Sequence, residues 1–154
     1  MTAAKDRVRL WLRLLKVVRD LEHEVRDKLR RDHNTTLPRF DVMSALSRHP
    51  EGLKMSQISG ALRISNGNVT GIADRLSEEG LVERLAVPGD RRATTLRLTA
   101  AGCAQFASQA QAHEVWINEM LRHVSAEDAR AMAARLQDFA ATQENTTKEK
   151  TYAQ

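Results

Sequence analysis

The chain has a single cysteine, Cys103, which excludes an internal disulfide and suits a reducing cytoplasm. Aromatic residues make up only 4% of the sequence, so a core has to be assembled from Leu, Val, Ile, Ala and Met. No apolar run approaches the roughly eighteen residues that a membrane-spanning helix needs. The opening stretch, MTAAKDRVRLWLRLLKVVRDLEHEV, has scattered charges and no uninterrupted apolar segment, so a signal peptide is not expected. The parts of an enzyme are missing as well. There is no phosphate-binding glycine loop and no nucleophile elbow. The histidines (His23, His33, His49, His113 and His123) show no ligand spacing with carboxylates or cysteines. Catalysis, a metal and a cofactor are therefore not expected.

What is present is ordinary for a globular protein. The 154 residues are 42% hydrophobic and 29% charged, enough for one domain with a real core. A net charge of +4 permits a polyanionic partner without requiring one.

Residues 5–32 read as one long helix, because Leu14, Val18, Leu21, Val25 and Leu29 form a continuous apolar stripe that Trp11 and Leu15 widen. Its other face mixes Arg and Lys with Asp and Glu, the pattern of a solvated surface. Thr36 as N-cap and Pro38 in the first turn predict a second helix over 38–48. A third begins at Ser56, with Ile58, Ala61 and Leu62 inward, and a fourth runs from about 65 to 79, where Gly80 stops it. LVERLAV (81–87) and TTLRLT (94–99) then alternate as strands around the charged turn PGDRRA. Thr99 caps a helix over about 100–123, whose stripe is Phe106, Ala110, His113, Ile117, Met120 and Val124. Ser125 and Asp128 open a last helix through Met132, Leu136 and Phe139. The expected class is mainly α with a small β-hairpin wing: a winged helix-turn-helix at 36–99 between long helices at 1–35 and 100–142. Residues 143–154 form a polar tail expected to be frayed or disordered.

Within the fourth helix, ISNGNVTGIADRL, two glycines raise a question. Val69, Ile72, Ala73 and Leu76 point inward, which leaves Gly67 and Gly71 at the centre of the opposite face. Each costs about 1 kcal/mol relative to Ala, a penalty a helix bears when something must approach its backbone closely. A second helix is one candidate, but close small-residue packing belongs to apolar faces. The other is a DNA major groove read by the surrounding Ser65, Asn66, Asn68, Thr70 and Arg75. The helix follows a helix-turn and precedes a hairpin, which favours DNA. Arg91 and Arg92 at the hairpin tip suit a minor groove. Lys54, with Arg63, Arg84 and Arg97, supplies candidate phosphate contacts.

DRRATTLRLTAAG, through Asp90, Arg92, Leu96, Leu98, Thr99 and Gly102, resembles the wing signature of the MarR family of transcription regulators. VTGIADRLSEEGLVER resembles the family's recognition helix and following strand, and LPRFDVMSAL its second helix. The resemblance spans roughly residues 8–140. It implies a cytoplasmic homodimer joined by the first and last two helices, bound to double-stranded DNA at a pseudo-palindromic operator. In relatives Asp90 steadies the wing by ion pairing, and Asp74 is expected to find an arginine partner in the wing. This chain departs in carrying Gly71, and Asn66 with Gly67, where relatives often have polar or basic residues.

The resemblance also implies a small-molecule effector that releases DNA. Trp11, Arg39, Phe40 and Trp116 are its candidate wall residues, Arg39 as receiver of a carboxylate or phosphate; the competing reading is surface arginine and core aromatics. TTLPRFDVM is similar to the branch responding to hydroxycinnamoyl-CoA thioesters, and a free phenolic acid is the competing ligand. Cys103 is expected to be a small buried thiol rather than a redox sensor, and His113 an interface histidine. The alternative to DNA binding is a winged-helix adaptor for protein partners, whose association would be nearly indifferent to salt.

Overall fold

Helix α1 covers Ala3–His33 in the computed structural model, which describes residues 2–152. Only the later part of its stripe is covered: Val25 and Leu29 are buried, whereas Val8, Trp11, Leu12, Val17 and Val18 are exposed. Asn34, in the left-handed conformation, ends it. Helix α2 (Leu37–Ser47) starts where expected, with Thr36 accepting a hydrogen bond from the Arg39 N–H at 3.3 Å.

A two-residue strand that local sequence does not announce, β1 (Leu53–Lys54), leads into α3 (Met55–Leu62). Of the α3 residues expected inward, Ile58 is buried and Leu62 half-buried, but Ala61 is exposed. Arg63 turns the chain in the left-handed conformation, and Ser65 then caps α4 (Asn66–Glu78) by accepting from the Asn68 N–H at 3.2 Å. Gly80, at φ +73°, terminates α4: its N–H bonds the Ser77 carbonyl and that of Leu81 the Leu76 carbonyl.

Strands β2 (Val82–Val87) and β3 (Asp90–Leu98) follow, and the sheet order is β1-β3-β2, all antiparallel. The wing is thus three strands rather than a lone hairpin. Its turn is shorter than read from the sequence: only Pro88 and Gly89 lie between the strands, with Gly89 at φ +80°. Register runs from Val82↔Leu98 to Ala86↔Thr94 and then jumps to Val87↔Asp90, so Arg91, Arg92 and Ala93 bulge from β3. The core gathers Val42, Met43 and Leu46 of α2, Ile58 of α3, Val69, Ala73 and Leu76 of α4, and Leu81, Val82, Leu96 and Leu98 around the sheet.

Helix α5 (Ala100–Met120) begins at Thr99, whose hydroxyl accepts from the Gly102 N–H (3.0 Å) and donates to the Gly80 carbonyl (2.7 Å). Cys103 is exposed rather than buried, because the face of this turn that meets Leu81 and Leu98 is that of Gly102.

The chain forms two compact units, Met1–Ile117 and Asn118–Gln154. The second is chiefly α6 (Ala126–Tyr152), started by Ser125 accepting from the Asp128 N–H at 3.1 Å. It continues through the segment expected to fray. The hydroxyls of Thr142, Thr146 and Thr147 donate to carbonyls one turn back, so these polar side chains are satisfied within the helix itself. Met132, Leu136 and Phe139 are exposed along it.

Candidate nucleic-acid interface

Three inward residues, Val69, Ala73 and Leu76, fix the rotation of α4 and leave Asn66, Gly67, Asn68, Thr70, Gly71 and Arg75 exposed together. A β-carbon added at Gly67 or Gly71 would meet nothing within 4 Å. No neighbour among the described residues therefore requires either glycine. The two edges of this face border different spaces.

On the wing side lies a cleft of about 370 Å³ that brings together Lys54, Ser56, Asn66, Thr70 and Arg92. Lys54 stands at the junction of β1 and α3, where its N–H is held by the Gln57 side chain at 2.8 Å. Thr70 donates its hydroxyl to the Asn66 carbonyl (2.9 Å), leaving its methyl and oxygen lone pairs outward. Ser65 commits its oxygen to the cap. Arg91 and Arg92 sit on the bulge of β3, one step past the turn rather than in it, and both are exposed.

Carboxylates settle the remaining charges. Asp90 steadies the bulge through its backbone, accepting from the Arg92 N–H at 3.0 Å, and not through the expected ion pair. Asp74 pairs with Arg84 of β2, the expected kind of wing partner. Arg97 gives its Nε to Glu83 at 2.8 Å. Arg84 and Arg97 thus each have a carboxylate partner, while Lys54, Arg75, Arg91 and Arg92 lie on the exposed faces of the helix and wing.

The other edge of α4 faces the start of α2 across a cavity of about 590 Å³. Gly67, Asn68, Gly71 and Arg75 line one side; Arg26 and Arg30 of α1, with Pro38 and Arg39 of α2, line the other. Four arginines and no carboxylate line it. Arg26 and Arg30 were not singled out in the sequence, since their one-turn spacing on a charged helix face is also that of a solvated surface.

Of the expected ligand wall only Arg39 borders this cavity. Trp11 is 58% exposed near the start of α1. Phe40 is buried against Phe106 and His113, with ring centroids 5.5 and 4.9 Å away, and Trp116 meets His33 edge-on at 5.8 Å. Phe40 is covered by α5, and Trp116 sits on α5 itself beside His33 of α1, tertiary contacts invisible in local sequence. Burial among those rings holds the His113 pKa below the usual histidine value. Asp41, half-buried between α1 and α2, is raised by desolvation and then by the nearby Glu22, with Arg26 opposing.

An exposed, smooth helix behind a helix-turn and beside a wing with free arginines defines a winged helix-turn-helix DNA-binding protein. Comparison with known proteins agrees. Residues 35–94 match the MarR family. The chain is 30% identical over 112 residues to the HTH-type transcriptional regulator PecS of Dickeya dadantii (strain 3937), covering 71% of this chain and 68% of that one. A MarR family transcriptional regulator from Silicibacter pomeroyi is 31% identical and superposes with a TM-score of 0.75 over 93% of this chain and 99% of its own. The transcriptional regulator BldR from Sulfolobus solfataricus shares the fold at a TM-score of 0.83 and 20% identity, over 92% and 99% of the two chains. The chain belongs to the MarR family and is a DNA-binding transcription regulator, not an enzyme. Among the described residues no helix is long and apolar enough to cross a membrane.

Proposed function

We propose that the chain is a cytoplasmic, homodimeric repressor of a pseudo-palindromic operator, released when a small aromatic anion enters the arginine-lined cavity beside α4. Asn66, Asn68, Thr70 and Arg75 address base edges, with Gly67 and Gly71 letting the helix backbone approach the groove floor. Arg91 and Arg92 enter the minor groove, and Lys54 meets phosphate. A dimer sets two such helices about one turn of DNA apart, roughly 34 Å. The exposed apolar residues Trp11, Leu12, Val17 and Val18 on α1, and Met132, Leu136 and Phe139 on α6, supply surface for joining two copies.

The observation that carries the reading is that one exposed face of α4 borders both the wing cleft and the cavity. A ligand held by Arg26, Arg30, Arg39 and Arg75, its ring against Leu37, Pro38, Ile64 and Ile72, would alter the surface that must meet DNA. The volume of about 590 Å³ lies within the usual range of small-molecule sites. An aryl-CoA thioester, with phosphates for the same arginines, is the larger, competing ligand.

Fluorescence anisotropy of a labelled duplex from upstream of the protein's own gene tests this, with excess unrelated DNA at two salt concentrations. The expected result is tight, salt-sensitive binding that survives the competitor and weakens when an aromatic acid is added. Equal affinity for any DNA overturns the operator reading, and indifference to every aromatic acid and thioester overturns the release mechanism.

A further inference from the structure

The best-covered cation on the cavity wall is also tied to the recognition helix. The Arg39 side chain is only 14% exposed, and one of its terminal nitrogens bonds the carboxylate of Glu79, the residue that caps the C-terminal end of α4. Its Nε is buried and meets no hydrogen-bond acceptor among the described residues. A guanidinium presents a planar fork that a carboxylate can satisfy through two parallel bonds. Glu79 uses one prong and leaves the other empty. The Arg39 backbone is fixed, since its N–H is held by the N-cap Thr36, so any adjustment falls on the side chain. On the helix, the Glu79 N–H bonds the Arg75 carbonyl, and Arg75 itself lines the cavity. Arg39 therefore belongs both to the cavity and to the end of α4.

We propose that Glu79 is a positioning residue: its bond to Arg39 holds the end of α4 toward α2 in the DNA-binding state, and an anion in the cavity takes Arg39 away from it. The mechanism rests on the effector cavity proposed above and adds the contact whose exchange the ligand drives. Charge stays balanced, because one anionic group replaces another on the same guanidinium. Glu79 is 47% exposed and passes to water on release. A ligand shifts an equilibrium only by the difference in its affinity for the two states. Here that difference is a two-pronged bond, open to the anion only once Glu79 has let go.

The test uses the full-length parent, Glu79→Gln and Glu79→Asp, with 4-hydroxybenzoate as probe. Calorimetry without DNA reads probe binding, anisotropy reads operator affinity with and without saturating probe, and melting curves check that the folds are equal. The parent should lose about tenfold in operator affinity with probe, within the usual span of coupling between sites. Glu79→Gln should bind the operator more weakly from the outset, bind the probe at least as tightly, and respond to it by less than about twofold. Glu79→Asp, which keeps the charge, should regain part of the response. A full tenfold response in Glu79→Gln overturns the proposal and leaves the cavity reading standing. A parent that binds neither this probe nor an aryl-CoA thioester overturns both.

Discussion

Gly102 lies against the backbone of Leu81: a β-carbon built on Gly102 would overlap the Leu81 carbonyl oxygen and come within 3.2 Å of the Leu98 side chain. That oxygen already accepts the Thr99 N–H at 3.0 Å, so it is not free to retreat. The glycine lets the start of α5 close on the corner between α4 and β2. Gly102→Ala should therefore destabilise the protein by about 1–3 kcal/mol, the scale of overpacking, read as a fall in thermal midpoint of several degrees. An unchanged midpoint would mean the corner is looser than its geometry implies.

Gly71 is the opposite case, with open space where a β-carbon would go. Gly71→Ala should raise stability by up to about 1 kcal/mol through helix propensity alone. Gly71→Leu should keep the fold but lower operator affinity by at least about tenfold, because the side chain would stand where the groove floor must come. Parent-like operator binding by Gly71→Leu would assign the glycine to the cavity instead.

Arg92→Ala should leave the melting temperature unchanged, since the side chain is exposed and the bulge is held by the Arg92 backbone N–H on Asp90. Operator affinity should drop about tenfold, and the slope of log affinity against log salt should shrink by about one. Retained affinity with the parent's salt slope would remove the wing from the interface.

His113 titrates against stability in a calculable direction. Its folded-state pKa lies below the unfolded value because burial disfavours the imidazolium. The unfolded state then binds more protons across that window, so stability should fall as pH drops below about 6.5. In His113→Phe, which keeps a ring beside Phe40, this part of the decline should vanish. Denaturant melts of both proteins between about pH 5 and 8 decide it; parallel curves would show that protonation is accommodated.

Most helices were legible because their signals are local. Thr36, Thr99 and Ser125 cap as their positions suggest, and Gly80 stops α4 at the expected residue, whereas Ser65, read as a groove contact, is the cap of α4. β1 was not legible, since two residues have no periodicity and exist as a strand only by pairing with Leu96 and Thr95, about forty positions on. The α4 face could be read because its inward stripe is strong. The cavity could not, because Arg26 and Arg30 gain meaning only when α2 and α4 arrive opposite them. Asp90 was read as the brace of the wing, but the sequence does not say whether a side chain or a peptide N–H receives it.

The bulge in β3 separates length from register. Three residues, Arg91 to Ala93, have no partners on β2, while pairing from Ala86↔Thr94 inward proceeds without interruption toward the core. Elsewhere in this sheet, inserting one residue would turn every following side chain to the wrong face. Residues added or removed within Arg91 to Ala93 would change only how far the wing extends. The reach of its arginines can therefore change while Leu96 and Leu98 keep their places inside.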